Sequence, residues 1–174
     1  MKNLKQKGII LVLLTLLQAS CGGSDNTSKR QEQLQLLIYL RNNQSPTSST
    51  QAACFNFISA ENTCITLPDG QSVSCTDSEI SRIKSGIQTS DKRTDSILIG
   101  FFGCWKNCAI LFNAANSICT TSKYPTTKSY REAQKSTSNT ASVAWGSCMT
   151  TCNSGASEES GLKGTGATYP TQPF

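Results

Sequence analysis

Cysteine is the residue type whose spacing in this chain organises a chemistry. Nine occur, at positions 21, 54, 64, 75, 104, 108, 119, 148 and 152. Seven of the last eight obey one period: a step of 44 carries Cys64 to Cys108 and Cys152, Cys75 to Cys119, and Cys104 to Cys148. Three chemistries suit such a set. Disulfides need an even number in an oxidising compartment, and a small domain with a modest core benefits from covalent staples. Zinc sites built from four cysteines usually show CxxC spacing, whereas these show CxxxC. Redox catalysis favours CxxC at a helix N-terminus, and Cys104 and Cys108 fall in the middle of an apolar run. Structural disulfides among Cys54, Cys64, Cys75, Cys104, Cys108, Cys119, Cys148 and Cys152 are therefore expected, with no metal and no cofactor.

The rest of the chain supplies little else that reacts. Histidine is absent, which removes Ser-His-Asp and Cys-His nucleophile arrangements and every His-containing metal site. The 11 acids stand mostly in loops, caps and the C-terminal segment, so solubility explains them better than paired-carboxylate catalysis. Neither GxxxxGK[ST] nor GxGxxG occurs, which leaves nucleotide binding without local support.

Positioning the cysteines falls to helices. Around Ser96–Cys119 a rotation of 100° per residue puts Ile97, Phe101, Cys104, Cys108, Leu111 and Ala115 in one stripe, expected to face the core. The other faces are also apolar, so this helix belongs at the centre of a small domain. Lys106 and the short run from Ile97 to Phe112 argue against a membrane span, which needs roughly 20 apolar residues. Downstream, Val143, Trp145, Cys148, Met149 and Cys152 repeat the pattern. A capping box at Thr76 and Glu79 opens a helix carrying Ile80, Ile83 and Ile87, LPDG at Leu67–Gly70 makes a turn, and Tyr124-Pro125 opens a further helix through Tyr130 and Ala133. The expected fold is all-α: a small disulfide-stapled helical bundle built from about two 44-residue helical repeats. Such a chain path returns Cys75 to Cys104 and Cys119 to Cys148, leaving Cys54, Cys64, Cys108 and Cys152 to pair among themselves. The rival scheme joins Cys64 to Cys75 and Cys108 to Cys119.

The N-terminus sets the compartment. Lys2, Lys5 and Lys7 precede an apolar run from Ile9 to Leu17, and Gln18-Ala19-Ser20 leads to Cys21, the order of an export signal. LLQASCGG resembles a bacterial lipoprotein lipobox, in the relaxed form of spirochaete-type lipoproteins, with Gln18 where a Leu is usual. The resemblance covers the first 21 residues and implies cleavage before Cys21, which then carries lipid. Residues 1–20 hold three of the 16 basic residues and none of the acids, so cleavage lowers the net charge from +5 to +2. A nucleic-acid partner thereby loses its electrostatic support.

The expected organisation is a signal peptide at 1–20, a lipid-anchored tether at 21–28, an amphipathic helix at 29–43, a linker at 44–50, a Cys-rich helical domain at 51–152 and a disordered tail at 153–174. Functionally this describes a non-enzymatic envelope protein with a binding or structural role. It is held to the inner or outer membrane by lipid, with the cell surface as one face open to it, and acts on a macromolecular partner the sequence does not name. The alternative is an envelope-anchored enzyme or enzyme inhibitor.

Overall fold

The computed structural model describes residues 48–69 and 75–170, all within one unit of the chain, Leu40–Phe174. The expected signal peptide, Cys21, the tether, the 29–43 helix and the first part of the linker lie outside the described residues, as does Gly70 of the LPDG turn.

Six α-helices carry the fold among the described residues. Helix α1, Ser49–Asn62, starts inside the segment expected to be linker, because Ser48 accepts a hydrogen bond from Gln51 N at 3.1 Å and satisfies an otherwise orphaned donor. Cys54, Phe57, Ile58 and Glu61 form its buried stripe. Helix α2, Asp77–Ser85, is capped by Thr76, which accepts from Glu79 N, while the Glu79 carboxylate turns to Arg82 at 2.8 Å. Ile80 and Ile83 on this helix, and Ile87 just past it, are buried. A short 3-10 turn, Ser90–Lys92, leads into α3, Asp95–Ala115, capped by Thr94. Helices α4, Ser117–Thr121, α5, Thr127–Gln134, and α6, Thr140–Asn153, follow.

Two three-residue strands depart from the all-helical expectation. Strand β1, Ile65–Leu67, runs parallel to β2, Tyr124–Thr126, with Ile65 opposite Tyr124 and Leu67 opposite Thr126. Three residues are too few to show a strand's alternation in sequence. Tyr124-Pro125 thus forms strand rather than helix start. The helix opens at Thr127, where Thr126 and Ser129 make a reciprocal capping box.

Helix α3 is the axis of the core, but its buried face is rotated from the expected stripe. Leu98, Phe101, Phe102, Cys104, Trp105, Cys108, Ala109 and Phe112 are buried, whereas Leu111 and Ala115 are exposed. The aromatic residues Phe102, Trp105 and Phe112 set the phase, since each buries more apolar area than Ile97 or Leu111. By length and composition α3 is also the one described helix apolar enough to cross a membrane. Its buried side chains pack against α1, α6 and the C-terminal segment, while Ile110 and Leu111 are exposed.

That C-terminal segment corrects the expected disordered tail. Residues 154–170 return across the core, burying Leu162, Ala167 and Tyr169. Tyr169 N donates to Asn153 O at 2.8 Å and Gln88 N donates to Thr168 O at 3.0 Å. The return depends on close backbone approach: a Cβ on Gly155, whose φ is +71°, would stand 2.1 Å from Ala167 O, and one on Gly100 would stand 2.7 Å from Ser160 O. Three isolated apolar residues among glycines carry no periodicity, which is why the segment reads as unstructured. Tyr169→Ala should lower stability by about 3 kcal/mol, or roughly 10 °C in melting temperature. An unchanged melting temperature would show that the segment only rests on the surface.

Candidate functional site

The cysteines meet in four bonds: Cys54–Cys75, Cys64–Cys119, Cys104–Cys152 and Cys108–Cys148. Neither Cys75–Cys104 nor Cys119–Cys148 forms, and the rival pairs Cys64–Cys75 and Cys108–Cys119 do not form either. The expected scheme placed partners at the ends of a bundle. Instead, α3 and α6 lie antiparallel along their lengths, so the CxxxC pair of one faces the CxxxC pair of the other in the opposite order. Cα separations of 5.7 and 5.6 Å suit both bonds. The parallel pairing of β1 with β2 draws Cys64, just before β1, to Cys119 on α4. Cys54 on α1 reaches Cys75 beside the cap of α2. Of the positions one step of 44 apart, Cys104 and Cys148 both stand on helices, whereas Cys64 lies in a turn and its counterpart Cys108 lies within a helix.

The α3/α6 seam gathers the most cysteine sulfur among the described residues. Cys108 Sγ lies 3.4 Å from Cys152 Sγ of the adjacent bond, and the sulfurs of Cys104, Cys108 and Cys152 all lie within 4.8 Å of one another. Cys108 and Cys152 are fully buried, while Cys148 is partly exposed. Cys104 and Cys148 also line a shallow groove of about 400 Å³ whose far wall includes Glu158 and Glu159.

A second, open groove of about 620 Å³ runs between α1 and α3. Asn56, Ser59, Asn113 and the half-exposed Ile110 line it, with Lys106 as its one ionisable residue. Its floor joins a partly buried polar lattice. Asn113 Nδ2 donates to Ala60 O at 2.7 Å and to Thr63 Oγ1 at 2.9 Å, and Tyr130 OH donates to Asn113 Oδ1 at 2.8 Å. Arg131 of α5 holds Glu61 of α1 at 2.6 Å, with Glu61 almost wholly buried. Burial, outweighing the opposing charge of Arg131, raises the Glu61 carboxyl above its ordinary value. Burial, then the Glu61 charge, pushes the Tyr130 phenol far above its ordinary range. These shifted groups are engaged in holding helices together, which is the structural use of a buried polar network. Sequence reasoning missed the pair. Glu61 and Arg131 are 70 positions apart, and no local pattern marks either residue.

No family model, curated protein or solved structure matches the chain. The site therefore stands on its own geometry.

Two measurements follow from that geometry. Proteolysis without reduction should recover the four bonds above, and removing one seam bond with Cys104→Ser and Cys152→Ser should cost about 2–4 kcal/mol by releasing a long loop in the unfolded chain. Recovery of Cys75 linked to Cys104 would overturn the helix register. For Glu61, a folded pKa above 4.5 means that the folded state binds more protons once the unfolded chain has begun to ionise. Its contribution to stability is thus fully present below 4.5 and falls as pH rises through the folded pKa. Glu61→Gln should remove that downward slope from the pH dependence of unfolding free energy, and an identical slope in the variant would show that Glu61 titrates normally.

Proposed function

We propose that this is a lipid-anchored cell-envelope protein, exported by residues 1–20 and held through lipid on Cys21, whose stapled helical domain binds another macromolecule or serves structurally rather than catalysing a reaction. The observation that carries the reading is the engagement of all eight domain cysteines in four bonds, which fits an oxidising compartment beyond the cytosol. The basic, apolar and small-residue order ahead of Cys21 supplies the anchor, and a chain without histidine has few groups for acid–base catalysis near neutral pH. The groove between α1 and α3 supports a binding role: it is open, mixed in polarity and edged by exposed Ile110. The finer architecture belongs to the same proposal, with α3 and α6 as two copies of one CxxxC helix set 44 residues apart.

Labelled palmitate should enter the protein in its native envelope and be lost with Cys21→Ala, which should also release the protein to the soluble fraction. An unlabelled wild-type protein with a different N-terminus ends the anchor reading. For the binding role, affinity capture with the wild type is compared with Ile110→Glu. A macromolecule retained by the first and lost by the second supports the groove, and equal recovery by both removes it.

A further inference from the structure

The geometry points to a second use of the α3/α6 seam: in the reduced protein, Cys104, Cys108, Cys148 and Cys152 form a four-thiolate site for one zinc ion. The inference stands on the seam alone and concerns the reduced chain, not the oxidised form that the proposed function sets in an oxidising compartment.

A spacing of four residues puts two side chains on one helix face about a turn apart, the same spacing by which paired histidines on a helix hold zinc. Here two such pairs face each other across antiparallel helices. Four thiolates around zinc at about 2.3 Å form a tetrahedron with edges of roughly 3.8 Å. Three of the four sulfurs already stand close to that edge, with Cys108 and Cys152 at 3.4 Å and Cys104, Cys108 and Cys152 within 4.8 Å of one another; Cys148 is the fourth, held beside them by its bond to Cys108. Opening the two bonds lets each bonded pair spread by side-chain rotation, with no change in helix register. The other two disulfides bring together only two sulfurs each. Among the described residues this is the one grouping of three or more ligand-type side chains.

The surroundings favour the same ligand. Cys108 and Cys152 are wholly buried and Cys104 nearly so, which gives the dry interior of a structural zinc site, and Cys148 opens to the groove. Glu158 and Glu159 on that groove attract a dication at the mouth, although their charges oppose the dianionic complex once formed. Thiolate ligands in a tetrahedral set select zinc over calcium or magnesium.

The chemistry balances in two steps. Two disulfides and two molecules of a dithiol give four protein thiols and two cyclic disulfides. The four thiols and one zinc ion then give a tetrathiolate complex and four protons. A sulfur bonded to its partner is not a zinc ligand, so the oxidised seam and the zinc site exclude one another.

The full-length chain, reduced with a phosphine under anaerobic conditions, is titrated with cobalt(II) and then zinc(II). The expected result is one metal per chain, with the strong visible bands of tetrahedral cobalt–thiolate replaced on zinc addition. Alkylation followed by mass mapping should show protection of positions 104, 108, 148 and 152, and the oxidised protein should bind none. Cys108→Ser should abolish the cobalt bands, whereas Cys54→Ser with Cys75→Ser should leave them. Should the reduced chain lose its helices, zinc must restore helical circular dichroism together with the protection pattern. Absence of a one-to-one complex overturns the proposal, as does protection at other cysteines or a complex that survives Cys108→Ser.

Discussion

Burial of one indole is the contact on which the rest of the structure depends. Trp105 is fully buried at the middle of α3, where it meets Phe57 of α1 at a ring separation of 6.1 Å and Tyr169 of the C-terminal segment at 5.0 Å. Its Nε1 donates to Asn153 Oδ1 at the end of α6, at 2.9 Å. One side chain thus fixes three neighbouring segments at once, using a ring for two and its polar edge for the third. A buried indole N–H without such a partner costs about 1–3 kcal/mol, so the Asn153 contact ties the end of α6 to the same point that the rings define.

The covalent and the packed parts of the fold divide the molecule between them. Phe57, Phe101, Phe102, Trp105 and Tyr169 form one aromatic group, and Phe112, Tyr124 and Tyr130 form another further along α3. The first unites α1, α3 and the returning segment. The second seats β2 and α5 against the C-terminal half of α3. Disulfides act where rings are scarce: α6 contributes Trp145 and Met149 to the core but is tied to α3 by two bonds, and the short elements around α2, α4 and β1 are each tied by one. A domain of this size buries too little surface to hold every short element by packing alone. Placing bonds at the short elements and along the α3/α6 seam restrains parts of the chain with freedom to lose.

How much of this was legible in sequence follows from range. Periodicity and caps are local, and they located α1, α2, α3 and α6 with the residues that cap α2. The central place of α3 was readable from its apolar character all round. Its buried face was not, because a helix apolar on every side gives no preferred phase, and the phase came from partners distant in the chain. The strands were too short to leave a pattern. The segment after Asn153 carries no periodic signal because Leu162, Ala167 and Tyr169 stand singly in a glycine- and threonine-rich stretch, and their burial depends on a landing site formed by α3. For the seam, the sequence held the four cysteines and the CxxxC spacing but not the relative direction of the helices. A parallel arrangement would have joined Cys104 to Cys148 and Cys108 to Cys152, and the same spacing is compatible with both.

The antiparallel direction also decides what becomes of the seam when its bonds open. Trp105 is one residue beyond Cys104 on α3, and its partner Asn153 is one residue beyond Cys152 on α6, so the indole hydrogen bond spans the two helices beside the Cys104–Cys152 bond. Met149 is buried between Cys148 and Cys152 and adds apolar contact on the α6 side. These interactions contain no sulfur–sulfur bond. Reduction therefore removes restraint on the unfolded chain before it removes the reason for α3 and α6 to lie together. The four-thiolate site proposed above depends on that tryptophan contact keeping the helix pair in register.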